Sequence, residues 1–389
     1  MRSVAVTNIG SLITNDHELE VGLLGELQNA AFVIEDGIIS WVGNSGSVPE
    51  TDEQIDVQGR TIVPGFVDSH AHLMFAGDRA HEFAARMNGE KYSAGGIKST
   101  VEATRAASDH ELEANLRRLV AELRSNGVTT FETKSGYGLT VADEARSLRI
   151  ASSVTSETTY LGAHVVPAEF KHHPDDYVSL VTGEMLNQVV DTAKWIDVFC
   201  DRGAFTVEQA REILKAGIER GLKPRIHANQ LEHGGGVQLA VELDCASADH
   251  CTHLNKHDID ALAGSNTVAT LLPGAEFSTR SEYPDARKLF DAKVKVAIAT
   301  DCNPGSSYTT SMPFAIAVAV RDMHFTVEQA IWAATKGGAK ALRRTDIGAL
   351  KPGMRADFVQ LTAPSALHLA YRPGVNLIDS THTAEEFHR

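Results

Sequence analysis

The sequence predicts an α/β fold: a (β/α)8 TIM-type barrel with a small composite β-sandwich domain built from both ends of the chain. Three observations lead there. Eight short apolar segments between residues 61 and 301 read as strands, helical patterns separate most of them, and reactive side chains recur at or just beyond their C-terminal ends. That end of the strands is where barrel enzymes assemble their sites. A doubly wound open sheet shares the alternation of strand and helix and is the competing fold.

Residues 1–62 read as short strands and turns. In AAFVIEDGIISWVG two apolar runs hinge on Asp36-Gly37, a dipeptide suited to a type I′ hairpin. Residues 63–345 are expected to carry the barrel. Its strand segments are TIVPGFVDSH, GVTTFETKS, TTYLGAH, KWIDVFC, KPRIHAN, CASADH, NTVATLLPG and KVKVAIATD. Between the first two, ASDHELEANLRRLVAELRSNG puts Leu112, Leu116, Leu119, Val120 and Leu123 on one helical face. Ser108 and Glu111 offer a capping box, and Gly127 suits the end. The hexapeptide FTVEQA occurs at 205–210 and 325–330, each time with a Thr-x-x-Gln helix start, but the likeness stops after Ala and is no repeat. From residue 346 the strand-and-turn character returns: IGALKPGMRADFVQLTA holds Pro352-Gly353 and then a strand-like FVQL. Residues 346–389 are expected to join 1–62 in the small domain.

An apolar share of 43% with 22% charged residues is ordinary for a globular protein of 389 residues. A net charge of −15 without any basic run argues against a nucleic-acid partner, because phosphates are bound by clustered Lys and Arg. The same field repels an anionic substrate unless a cation is placed locally; its blander role is solubility. Cys200, Cys245, Cys251 and Cys302 form no C-x-x-C pair and are too sparse for a disulfide scaffold. The start, MRSVAVTNIGSLITND, lacks the pattern of a signal peptide. No stretch approaches the roughly 18 apolar residues of a membrane span. The expectation is a cytoplasmic protein with a small-molecule substrate and no membrane partner, and a homodimer if it self-associates.

His70-Ala71-His72 ends the first apolar segment. Residues two apart on a strand point to one side, so both imidazoles can reach one ion. His227 closes PRIHANQ and Asp301 closes VAIATD. Three imidazoles and a carboxylate suit one Zn2+ or Fe2+ per chain, with room left for water. The blander alternative is satisfied buried histidines and an N-capping aspartate. A second metal would need a bridging anion such as a carbamylated lysine on the fourth strand. There, in KWIDVFCD, Lys194 stands at the wrong end and Cys200-Asp201 at the ligand end, so one metal is favoured. His250, ending CASADH, is expected to hydrogen-bond the attacking water or the oxyanion, against the alternative of a structural histidine. Lys134, His164 and Asp201 also stand at strand ends. His253 is placed outside the site, His172-His173 in a solvated loop, and Cys302 as a packing residue.

These residues lie in segments that resemble a known family. VDSHAHLMFAGDRAHEF, KSGYGL, LGAH, VFCDRGAF, IHANQ, SADH, TVATLLPGA, ATDCNPGSS and YRPGVNL look like the imidazolonepropionase branch of the amidohydrolase superfamily, from about Gly59 to Leu377. H-x-H and the last Asp are common to the superfamily, whereas G-D-R-x-H-E-F, K-S-G-Y-G-L and D-x-N-P-G-S-S are specific to the branch. The resemblance implies hydrolysis of 4-imidazolone-5-propanoate to N-formimidoyl-L-glutamate in histidine degradation, with metal on His70, His72, His227 and Asp301. It implies substrate contacts from Arg79, Tyr92, Tyr137, His164, Gln230, Asn303, Gly305 and Ser306, and catalytic work by Asp301, His250 and Gln230. After His227 the chain reads Ala-Asn-Gln and then Leu-Glu-His-Gly-Gly-Gly, a departure that bears on the surroundings of Gln230.

Chemically, Asp301 can take a proton from the attacking water and deliver it to the departing ring nitrogen. Arg79 can grip a carboxylate bidentately, or instead pair with Glu82 three residues on. The nearest rival activity is another cyclic amidohydrolase or a nucleobase-type deaminase; a rival of another class is a metal-binding barrel without catalysis. Arg79, Tyr137 and the 303–306 loop favour a small ring bearing a carboxylate, and a Gly-rich loop near 91–98 is a candidate lid.

Overall fold

The computed structural model describes residues 2–89 and 96–388, in two compact units. One unit comprises Met1–Asp68, Glu122–Thr130 and Ser311–Arg389. Its seven-stranded sheet runs in the order Ile378–His382, Phe358–Leu361, Thr61–Pro64, Ser3–Ile13, Glu26–Glu35 and Ile38–Asn44, with Glu53–Asp56 pairing Ser3–Ile13. Strands from both ends of the chain thus share a sheet: Thr61–Pro64 lies antiparallel to Phe358–Leu361 with Val63 opposite Val359. Alternation along Ser3–Ile13 sends Val4 and Val6 inward, where they join Phe32, Ile34, Leu350 and Phe358 in one apolar cluster. The hairpin between Glu26–Glu35 and Ile38–Asn44 turns on Asp36 and Gly37, both at positive φ (49° and 76°), as a type I′ turn demands.

The other unit, Ser69–Ala121 with Phe131–Thr310, holds the histidines. Its sheet runs Thr133–Lys134, Thr158–Ala163, Trp195–Cys200, Ile226–Ala228, Ser247–His250, Val268–Leu271 and Val296–Ile298, all parallel, with Lys223–Pro224 added beside Trp195–Cys200. Spatial order follows chain order without a reversal. A doubly wound sheet reverses at a switch point, so that alternative is excluded. The parallel sheet curls, and the segment after Asp68 bonds to both of its edges. His72 N–H donates to Cys302 O (2.9 Å) and Asp301 N–H to His70 O (3.0 Å), while Lys134 N–H donates to Ala71 O (3.2 Å).

Helices form where capping and periodicity indicated. Asp109–Ser125 buries Leu112, Leu116, Leu119 and Leu123, and Glu111 N–H donates to Ser108 Oγ. Both FTVEQA copies open helices, Val207–Glu219 and Val327–Trp332, through complete Thr–Gln capping boxes. Each such box satisfies amides left over at a helix start, typically worth about 1 kcal/mol. Among the described residues no helix is long and apolar enough to cross a membrane.

Candidate metal centre and substrate pocket

The parallel strands are buried on both faces, and the clustered imidazoles stand where strands end. His227 leaves Ile226–Ala228, His250 ends Ser247–His250, and Asp301 follows Val296–Ile298. His250 (φ 76°) and Asp301 (φ 50°) sit in the left-handed region. A non-glycine residue there is uncommon and breaks the strand sharply, aiming the side chain across the sheet end.

The imidazoles converge. His72 Nε2 lies 3.3 Å from His70 Nε2 and 3.2 Å from His227 Nε2, and Asp301 Oδ1 is 3.5 Å from both His70 Nε2 and His72 Nε2. His70, His72, His227 and Asp301 are nearly inaccessible to solvent. His250 belongs to the same cluster, its ligand atom close to those of His70 and His227, and its Nδ1 has no hydrogen-bond partner among the described residues. Burial, reinforced by neighbouring positive charge, pulls His70, His72 and His250 well below the ordinary imidazole range. Neutral imidazole is the form that binds a metal. Burial pushes Asp301 well above the usual carboxylate range and the charge of Glu276 adds to it, a penalty that a cation beside the carboxylate relieves.

The donor set fits a metal. His70 Nδ1–H donates to Asp249 (2.8 Å) and His227 Nδ1–H to Asp197 (3.1 Å), which leaves each Nε2 with its lone pair facing the cluster. Lone pairs 3.2–3.3 Å apart repel unless a cation lies between them. Ligands at 2.0–2.1 Å from a tetrahedral ion are separated by roughly 3.4 Å, close to what is seen.

Asp197 and Asp249 were not among the sequence-predicted site residues, nor were Glu132, Lys134 and Arg225 given roles, although all five side chains are fully buried beside the cluster. The available signal was a charged residue inside an otherwise apolar strand: Asp197 in WIDVFC, Asp249 in SADH. Such a residue cannot face water there, so it needs a partner.

Beside the cluster is a small cavity of about 40 Å3 lined by His72, Tyr137, His164, His227, His250 and Asp301, and also by Arg79, Gln230, Asn303 and Ser306. It shares Ile97, Val165 and Gln230 with a wider cavity of about 850 Å3. His164 is driven down to about 3 by burial, its Nδ1–H donates to Gly136 O (2.9 Å), and its ring stacks on His72 (centroids 5.3 Å). The 303–307 loop is an Asx turn: Asn303 Oδ1 accepts from Gly305 N–H and Ser306 N–H, both at 2.8 Å. Gly305 is not a wall of the small cavity; its carbonyl accepts from Arg86 Nη2 (2.9 Å), and a Cβ there would meet Arg79 Nη1 at 2.3 Å. Gln230 is presented by a loop whose Gln230 and Leu231 amides both donate to Asp201 Oδ2. Arg79 is paired bidentately with Glu82 (2.8 and 2.6 Å) while still lining the cavity. Tyr92, and with it most of the 91–98 loop, lies outside the described residues. His253 lines only the wider cavity, His172 and His173 are exposed, and all four cysteines are buried free thiols.

Residues 61–377 match the amidohydrolase family. The chain is 61% identical over 378 residues to imidazolonepropionase of Mycolicibacterium smegmatis, covering 97% of this chain and 96% of that one. It is 63% identical over 381 residues to imidazolonepropionase of Streptomyces griseus subsp. griseus, with 98% of each covered. Among solved structures, a mutant atrazine chlorohydrolase from Arthrobacter aurescens complexed with zinc and atraton superposes with a TM-score of 0.76 at 16% identity, over 98% of this chain and 94% of that one. Guanine deaminase from C. acetobutylicum with bound guanine gives 0.73 at 16% identity, over 98% and 99%. At that identity the likeness speaks for the fold.

Proposed function

The chain belongs to the amidohydrolase family, and within it to the imidazolonepropionases, and we propose that it opens the ring of 4-imidazolone-5-propanoate at the imidazole cluster to give N-formimidoyl-L-glutamate. It is a hydrolase of histidine catabolism acting on a small molecule. The observation that carries the assignment of the site is the convergence of three Nε2 atoms, at 3.2 and 3.3 Å, with Asp301 at 3.5 Å.

His70, His72, His227 and Asp301 would hold one Zn2+ or Fe2+. A divalent ion supplies a water whose pKa falls from 15.7 toward about 7 and polarises the carbonyl under attack. The count of one is supported by the strand Trp195–Cys200, whose C-terminal end carries Cys200 and Asp201 and no lysine that could bridge two ions. The solved structure of like fold is complexed with zinc, a metal that imidazole and carboxylate ligands suit.

Asp301 accepts a proton from the attacking water and passes it to the departing ring nitrogen. His250 donates to the oxyanion; its Nδ1 has no hydrogen-bond partner among the described residues, and the ring lies 5.9 Å from His70 and 5.5 Å from His227 between centroids. His164 offers Nε2 to a ring N–H, since its other nitrogen is committed to Gly136. Tyr137, Gln230, Asn303 and Ser306 shape the pocket, Gly305 keeps the loop close to Arg79, and Tyr92 completes the family's contact set. The reacting carbonyl sits in the small cavity with Arg79 in its wall, and the propionate reaches toward the wider cavity past Ile97, Val165 and Gln230.

A closed eight-strand barrel over 63–345, flanked by a β-sandwich domain from 1–62 and 346–389, is the architecture we assign. The sheet shared by both chain ends and the hydrogen bonds of residues 70–72 to both edges of the parallel sheet support it.

The test is absorbance decay of freshly generated imidazolonepropionate with metal-loaded protein. Turnover that requires metal and yields formimidoylglutamate is expected. A protein that ignores this substrate yet deaminates a purine or pyrimidine would overturn the assignment.

A further inference from the structure

The two buried cations raise a question, because burying a charge is costly and a site can be built without one. Lys134 Nζ lies 2.8 Å from Glu132 Oε1 and 2.9 Å from Asp197 Oδ2. The other oxygen of Asp197 accepts the Nδ1–H of His227. Arg225 Nη2 donates to Ser69 O (2.6 Å), the carbonyl just before His70, and lies 3.5 Å from the Asp249 oxygen that accepts from His70. Glu132 joins the two arms: Oε1 is 3.7 Å from Arg225 Nη1, and Oε2 accepts from Ala71 N–H at 3.1 Å.

The arrangement has a geometric consequence. Asp197 is held at Oδ2 by Lys134 while Oδ1 meets Nδ1 of His227, and Asp249 stands between Arg225 and Nδ1 of His70, so each imidazole is turned with Nε2 toward the cluster.

We propose that Lys134 and Arg225 are positioning residues for the metal: each holds one carboxylate in place, so that His227 and His70 are turned with Nε2 toward the ion. The proposal rests on the cluster being the metal site, as assigned above.

The test is zinc affinity of chelator-stripped protein, measured by competition with a chromophoric chelator. Wild type is compared with Lys134→Met, Glu132→Gln/Lys134→Met and Arg225→Lys. The double variant removes one charge of each sign, which guards against misfolding from an unpaired carboxylate. Each folded variant is expected to bind zinc about 10–100-fold more weakly, the usual cost of losing an outer partner of a ligand. Wild-type affinity in the folded double variant overturns the proposal, since Lys134 would then merely neutralise Glu132. If all three variants fail to fold, it is also overturned, because the network would be serving stability. Wild type that binds no zinc sinks the metal site itself, a separate result.

Discussion

Glu276 offers the most quantitative check on the buried electrostatics. It lies in the helix Pro273–Thr279, only 3% exposed, with Oε1 accepting from Thr252 Oγ1 at 2.7 Å and Oε2 without a partner among the described residues. Burial raises its pKa from 4.5 to about 7. Between those values the folded protein keeps the proton and the unfolded chain has released it. The unfolded state then binds fewer protons, so stability falls as pH rises from about 4.5 through about 7 and is level beyond. The gap corresponds to about 3 kcal/mol. With unfolding entropy of roughly 2.1 cal/mol/K per residue over 389 residues, that is about 4 °C in Tm. Glu276→Gln keeps an acceptor for Thr252 and loses the titration; its unpaired amide adds a cost that does not vary with pH. Part of that change precedes pH 5, so on metal-stripped protein the Tm of the variant minus that of wild type should rise by about 3 °C between pH 5 and pH 8, followed by calorimetry. A difference that stays flat or falls would show that Glu276 is not carrying a buried proton near neutrality, and the electrostatic description of this helix would fail.

Elemental analysis of loaded protein should find one divalent ion per chain; two would contradict the mononuclear centre. Asp301→Asn should lose metal and nearly all turnover, whereas His250→Ala should keep its ion and lose rate by about 10²–10⁴. An ion-free His250→Ala protein that stays folded would make His250 a ligand. Arg79→Lys and Arg79→Met should each lower kcat/KM about ten-fold or more with metal content unchanged, in line with charge-assisted bonds of about 1.5–3 kcal/mol. An unchanged value would mean that Arg79 serves only Glu82. Gly305→Ala should raise KM too, because its Cβ would collide with Arg79 Nη1.

The sequence by itself determined seven of the eight expected barrel strands, the capped helices and the four residues proposed as ligands; the expected first strand instead divides between Thr61–Pro64 of the composite sheet and Phe66–Asp68, which pairs with Val128–Phe131. The features so determined are local facts. A buried parallel strand is a short, largely apolar run, the residues that close it stand at its end, and a Thr-x-x-Gln start needs nothing beyond its own turn. Asp36-Gly37 likewise specifies its hairpin by backbone preference alone.

What the tertiary structure decided is which distant residues face one another. Arg79 could grip a ligand or pair with Glu82, and both options are written in the same four residues; only the fold shows the pair made and the guanidinium still at the cavity wall. Asp197 and Asp249 read as stray charges in apolar strands until parallel pairing brings Ile226–Ala228 beside Trp195–Cys200 and Ser247–His250. Then His227 finds Asp197, and His70 finds Asp249 across 179 positions of chain. Pattern carries no information about such partners, because a buried charge is satisfied in space by whatever the sheet order sets beside it.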